Sequence, residues 1–181
     1  YLAENFVSLI NNFEYENFIS EKYFSSISKL YLTARIKANH NIDKNFDFGA
    51  FEKSEQETVS VLVKRQLNPK YKSETMAGVL STLIPGLGKI YTQNYGDGIT
   101  SLIVTGLLTY LSVNNFDHNH QFRGWLFAGL SSYFYLGNIY GSVASAQIYN
   151  ANYNRVTKEE IDKFIYENNY FLPKEADWNC K

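Results

Sequence analysis

The sequence predicts an all-α protein: a small N-terminal helical hairpin domain, a helical membrane-embedded domain and a C-terminal amphipathic helix. Three observations lead there. Apolar residues recur at spacings of three and four on both flanks, the helical period. Asp, Glu, Lys and Arg together number 20 in residues 1–75, four in 76–154 and 11 in 155–181. Proline and glycine, the residues that interrupt helices, cluster at a few points in the charge-poor middle. A soluble domain spreads charge along its length because each amphipathic element keeps a polar face in water, and this chain does not. The expected boundaries are therefore 1–72, 73–154 and 155–181.

In the first segment, Leu2, Phe6, Leu9 and Phe13 mark one amphipathic helix, and Tyr23, Ile27, Leu30, Tyr31 and Ala34 mark another. The polar break Asn11 to Tyr15 lets the chain double back, so an αα-hairpin is expected. It resembles a single tetratricopeptide-type helix pair, with Phe18 and Ile19 at packing positions. Asn39 to Gly49 reads as a loop. Ser54 and Glu57 stand at capping-box spacing ahead of an apolar face of Val59, Leu62 and Val63, and Asn68-Pro69 is expected to stop that helix.

Lys64, Arg65, Lys70 and Lys72 follow one another just before the charge-poor region. Such a cluster serves either as a solvated helix end or as a membrane-surface basic cluster drawn to anionic headgroups. Met76 to Ile84 is apolar but too short to cross a bilayer before Pro85, Gly86 and Gly88 break it. A re-entrant or interfacial element is expected there, with Lys89 and Tyr91 at headgroup level. Asp97 and Gly98 punctuate the chain again, Asp97 as a helix cap. Ile99 to Val113 is the best candidate span, inside an uncharged run of 19 residues from Gly98 to Phe116.

Asn114 to Arg123 reads as a solvated loop, in which His118 and His120 lack the further ligands that a metal site needs. Gly124 to Asn154 is uncharged over 31 residues, enough to span with a tilt. Gly137, Gly141 and Ser145 recur every four residues and form a low strip for close helix packing, expected against Ile99 to Val113 at Thr105, Gly106 and Thr109. Asn138, beside that strip, is expected to bond across a helix interface. Thr157 and Glu160 have capping-box spacing for a final helix with Ile161, Phe164 and Ile165 on its apolar face, ended by Pro173.

Two strings in this order, Pro85-Gly86-Leu87-Gly88-Lys89-Ile90-Tyr91 with Asp97-Gly98, then Tyr135-Leu136-Gly137-Asn138-Ile139-Tyr140-Gly141 with Asn150, resemble a family of poorly characterised bacterial envelope proteins. Its members pair tetratricopeptide-like helices with a hydrophobic helical C-terminal region. The resemblance implies a secreted or membrane-inserted protein of the bacterial cell envelope and carries no catalytic activity with it. A cleaved secretory signal upstream of Tyr1 would fit that location.

A formal net charge of −1 and the lack of a long basic run argue against a nucleic-acid partner. Cys180 stands alone, so no intrachain disulfide is expected. No nucleophile motif or phosphate loop is legible, and neither an enzyme nor a cofactor is expected. The function this predicts is a non-catalytic scaffold or accessory subunit of a larger envelope membrane complex, of a kind serving protein export or membrane assembly. Its partners would be membrane lipid and other subunits. A membrane-anchored peptide-binding adaptor is one alternative, and an intramembrane transporter or enzyme using Asn138, Asp97 and Lys89 is another.

Overall fold

The computed structural model of the chain describes residues 21–39, 42 and 48–168, and all the regular structure among them is α-helical. In chain order the helices are α1 (Glu21–Ala38), α2 (Lys53–Leu67), α3 (Glu74–Leu83), α4 (Leu87–Tyr91), α5 (Tyr95–Asp117) and α6 (Gln121–Asn168). The expected helix from Leu2 to Phe13, its break, Phe18 and Ile19, Pro173 and Cys180 lie outside the described residues. The chain forms two compact units, one of Tyr1–Pro69 with Asn154–Lys181 and one of Lys70–Tyr153.

The first unit is organised as a water-soluble helical protein is. Leu32 and Ile36 of α1, Val59, Leu62 and Val63 of α2, and Ile161, Phe164 and Ile165 from the end of α6 form a buried apolar cluster with Phe51. Their spacing in each helix gives one apolar stripe, and the stripes meet. Charge lies around this cluster: Lys37 pairs with Asp162 at 2.8 Å, and Arg65 pairs with Glu160. The capping carboxylate of α2 is Glu55, whose Oε2 accepts from the Glu52 backbone N–H at 2.9 Å. This corrects the expected Ser54/Glu57 box. The helix begins at Lys53, so Ser54 already lies inside its first turn.

In the second unit, the Ser73 side chain accepts from Met76 N–H and starts α3 two residues before the expected Met76. The break at Pro85 and Gly86 is where the sequence puts it. Gly86 adopts φ +90°, and a Cβ on it would collide with the Gly98 carbonyl, so only glycine fits this turn. α5 begins at Tyr95 rather than near Asp97, and Asp97 accepts from the Asn94 amide at 2.8 Å. It runs to Asp117, past the predicted end at Val113, and is the one described helix long and apolar enough to cross a membrane by length and composition.

Two further expectations are corrected. Asn114 to Arg123 is mostly helical, with only residues 118–120 between α5 and α6, Asn119 taking φ 60° at the reversal. Thr157 does not start a helix either, because α6 runs unbroken through it for 48 residues. From Gly141 to Asn168 there is no proline and no further glycine. Nothing in that stretch stops a helix, and a capping-box spacing does not open one inside a helix already propagating.

Within the second unit, polarity runs opposite to that of the first. The buried positions include Ala77, Gly78, Ser81, Gly88, Thr92, Thr105, Asn138, Ser142, Ser145 and Ala146, which are small or hydroxyl-bearing apart from Asn138. The large apolar side chains stand outside: Leu83 is 73% exposed, Trp125 70% and Tyr140 78%, together with Ile103, Leu107, Leu136 and Ile148. Of the apolar window of α5, only 11% is buried.

Candidate functional site

A ladder of polar contacts joins α3 to the antiparallel α6. At one end, the Asn150 side chain accepts from Lys72 N–H at 2.8 Å and donates to Lys72 C=O at 2.9 Å, using both halves of its amide. Gln147 then donates to Glu74 at 2.9 Å, Ser81 and Ser142 hydroxyls meet at 2.6 Å, and the Tyr135 hydroxyl donates to Thr82 C=O at 2.6 Å.

The directions of the hydroxyl bonds follow from their neighbours. Ser142 donates to the carbonyl of Asn138 at 2.8 Å, so it accepts from Ser81. Ser81 in turn accepts from the Gly88 N–H at 2.9 Å, one of the open backbone donors at the start of α4. The chain therefore reads Gly88 N–H to Ser81 to Ser142 to Asn138 C=O. A parallel chain runs from Ser145 to Thr92 at 2.6 Å and from Thr92 to Lys89 C=O at 2.9 Å.

The small-residue strip has a different partner from the one expected. Gly141 faces Lys89, whose Cε would lie 3.3 Å from a Cβ at that position, and Ser145 meets Thr92; both contacts are with the segment around α4. Gly137 and Gly106 have no atom within 4 Å of an added Cβ, so neither packs closely. The α5–α6 seam lies elsewhere, at Thr109 with Ser131 (2.8 Å), Ser112 donating to Gly124 C=O (3.0 Å) and Phe116 against Gly124. The sequence missed these contacts because serine and threonine recur throughout both helices and spacing alone does not pair them.

The residues of the basic cluster divide between the two units. Lys64 is exposed and Arg65 is ion-paired in the first unit; in the second, Lys70 is exposed and the Lys72 ammonium sits 4.6 Å from the Tyr91 ring centroid and 5.8 Å from that of Tyr149. Tyr91 also accepts from Ser73 N–H at 3.3 Å, so this tyrosine holds the entry to α3. His118 Nδ1 lies 2.8 Å from the Asn114 carbonyl, and no group of three metal-ligating side chains occurs among the described residues.

Where the two motif strings meet, they leave a pocket. Lys89 from the first string and Asn138 from the second line a cavity of about 230 Å³ with Thr100, Ser101, Val104 and Phe134. The space that Gly141 leaves empty accommodates the lysine side chain, whose ammonium donates to Ser101 Oγ at 2.9 Å. Asn138 is only 4% exposed, yet neither its Oδ1 nor its Nδ2 has a hydrogen-bond partner. The interhelical bond expected for Asn138 is therefore not made by its side chain; its backbone carbonyl takes part in the hydroxyl chain instead.

A larger groove of about 650 Å³ lies on the α5–α6 side, lined by Pro85, Thr105, Thr109, Ser131 and Tyr135 among others. No protein-family model, curated protein or solved structure matches the chain significantly.

Proposed function

We propose that this chain is a membrane protein of the bacterial cell envelope, with its Lys70–Tyr153 unit embedded in lipid as a non-catalytic scaffold or accessory subunit of a larger complex. The supporting observation is the inverted polarity of that unit. Its helices meet through glycine, alanine and hydroxyl side chains and turn leucine, isoleucine and aromatic residues outward. In water, such a surface would be an exposed apolar patch of the kind monomeric proteins avoid. In lipid, outward apolar side chains are solvated, and association comes from close packing and interhelical hydrogen bonds, which small and hydroxyl residues supply.

The short α3 and α4 on either side of Gly86 fit a re-entrant element, since backbone irregularity at membrane depth is tolerated where protein covers it. α5 is the spanning candidate. The first unit, with its apolar core and ion-paired surface, suits an aqueous compartment, where it would meet partner subunits. The envelope family that the two motif strings resemble is part of the same proposal.

Fractionation tests the reading. The full chain is expected to stay with membranes through high-salt and alkaline washes, to be released by detergent, and to copurify with a defined set of partners identified by mass spectrometry. Recovery as a monodisperse soluble monomer in plain buffer would overturn it.

A further inference from the structure

The cavity beside Lys89 and Asn138 contains two side chains whose chemistry is unfinished. The Lys89 ammonium has three donors; one goes to Ser101, and no carboxylate lies within ion-pair distance among the described residues. The Asn138 amide offers a donor and an acceptor, both buried and both without a partner. An unpaired ammonium and an unsatisfied amide facing one space are each unfavourable in a desolvated setting. Together they define what would relieve the cost. The ammonium calls for negative charge, the Nδ2 donor and the Ser101 hydroxyl suit its oxygens, and the Asn138 Oδ1 calls for a hydroxyl or amine on the same molecule.

We propose that this pocket binds a phosphate ester that also carries a hydroxyl, with the phosphate on Lys89 and the hydroxyl on Asn138 Oδ1. The glycerol phosphate headgroup of an anionic lipid and the same ester free in water share this chemistry. A cavity of about 230 Å³ corresponds to roughly seven or eight water volumes, enough for the headgroup and too small for acyl chains. Phe134 is a half-exposed aromatic at the lining, so a lipid can place its headgroup inside while its chains stay on the apolar exterior. The lipid source rests on the membrane reading given above; the anion site rests on Lys89 and Asn138 alone.

The test uses the full chain purified in a neutral detergent and read by thermal unfolding. The probes are micelles doped with phosphatidylglycerol, micelles doped with phosphatidylcholine, and free glycerol 1-phosphate. Stabilisation by phosphatidylglycerol but not by phosphatidylcholine or the free ester assigns the lipid source, and stabilisation by the free ester assigns a water-soluble ligand. In either case Lys89→Met and Ser101→Ala should weaken the apparent affinity, Lys89→Met by at least about tenfold, while Lys158→Met, on an exposed part of α6, should leave it unchanged. Asn138→Leu should melt higher than the wild type without ligand and lose the response. The proposal is overturned if neither probe shifts the wild type, if Lys89→Met responds as the wild type does, or if Asn138→Leu melts lower in the absence of ligand. Should the chain prove soluble without detergent, the membrane reading fails, and the free-ester titration on the same variants in plain buffer still decides the site.

Discussion

The hydroxyl of Ser81 lies 2.6 Å from that of Ser142, and this contact links the C-terminal part of α3 to the middle of α6. Because Ser81 also accepts from Gly88 N–H and Ser142 donates to Asn138 C=O, each serine fills both roles at once. Ser81→Ala strands the buried Gly88 N–H and removes the donor to Ser142, which should cost about 1–3 kcal/mol. The double variant with Ser142→Ala should cost less than the sum of the singles, with a coupling of about 0.5–3 kcal/mol. Unfolding of the four proteins in detergent measures it; strict additivity would show that the two hydroxyls act independently.

The glycines of the second unit separate into two kinds. A Cβ on Gly88 would run into the Ala77 carbonyl, so Gly88→Ala should force α3 and α4 apart and cost at least about 1–3 kcal/mol. Gly137 has open space around it on a helix, and Gly137→Ala should stabilise by up to about 1 kcal/mol through helix propensity. Gly141→Leu must displace the lysine beside it and should lose about as much as Gly88→Ala, whereas Ile103→Leu on the exposed face of α5 should be mild. Melting temperatures in one detergent give the order; equal effects for Gly88→Ala and Gly137→Ala would contradict this packing.

Asn150 closes the far end of the α3–α6 ladder by bonding both backbone groups of Lys72. Asn150→Leu removes two hydrogen bonds, each worth about 0.5–1.5 kcal/mol, and frees the strand of chain leading into α3. The expected signature is a lower melting temperature with faster amide exchange at residues 70–74. Unchanged exchange there would mean that Ser73 and Tyr91 hold that segment without Asn150.

In the first unit, Glu55 is 8% exposed and serves two donors, the Glu52 N–H and the Lys29 ammonium at 3.1 Å. Glu55→Ala leaves that ammonium, itself well covered, without its closer carboxylate and removes the cap of α2. A loss of about 2–4 kcal/mol is expected. Lys29→Ala should be less costly when made in the Glu55→Ala background than alone, and denaturant unfolding of the cycle is the check.

The helical class and the break at Pro85 were legible because they depend on local chemistry: apolar period, charge density, and residues that cannot continue a helix. Helix ends were less legible. Glu55 rather than Glu57 caps α2, and α6 passes straight through Thr157, since capping residues are also ordinary helix-surface residues. The pairing of faces was the least legible. Gly137, Gly141 and Ser145 form a strip on paper, yet only the last two meet α4 and its flank, because a spacing of four drifts around a helix with 3.6 residues per turn. Asn138 was visible as a polar residue in an apolar stretch. That its amide would be left without a partner depended on which helix stood opposite, and no local pattern encodes that.

The ladder between α3 and α6 also fixes register. Aliphatic surfaces slide past one another with little change in contact, and a slip of one helical turn moves a helix about 5.4 Å along its neighbour. Lys72 with Asn150, Glu74 with Gln147, Ser81 with Ser142 and Thr82 with Tyr135 are four pairs matched at unequal intervals along α6 and along α3 with its leading residues. Uneven spacing works like the teeth of a key: any shift that restores one pair misaligns the other three and leaves their polar atoms facing carbon. The ladder therefore discriminates among alignments that apolar packing alone would leave nearly equivalent.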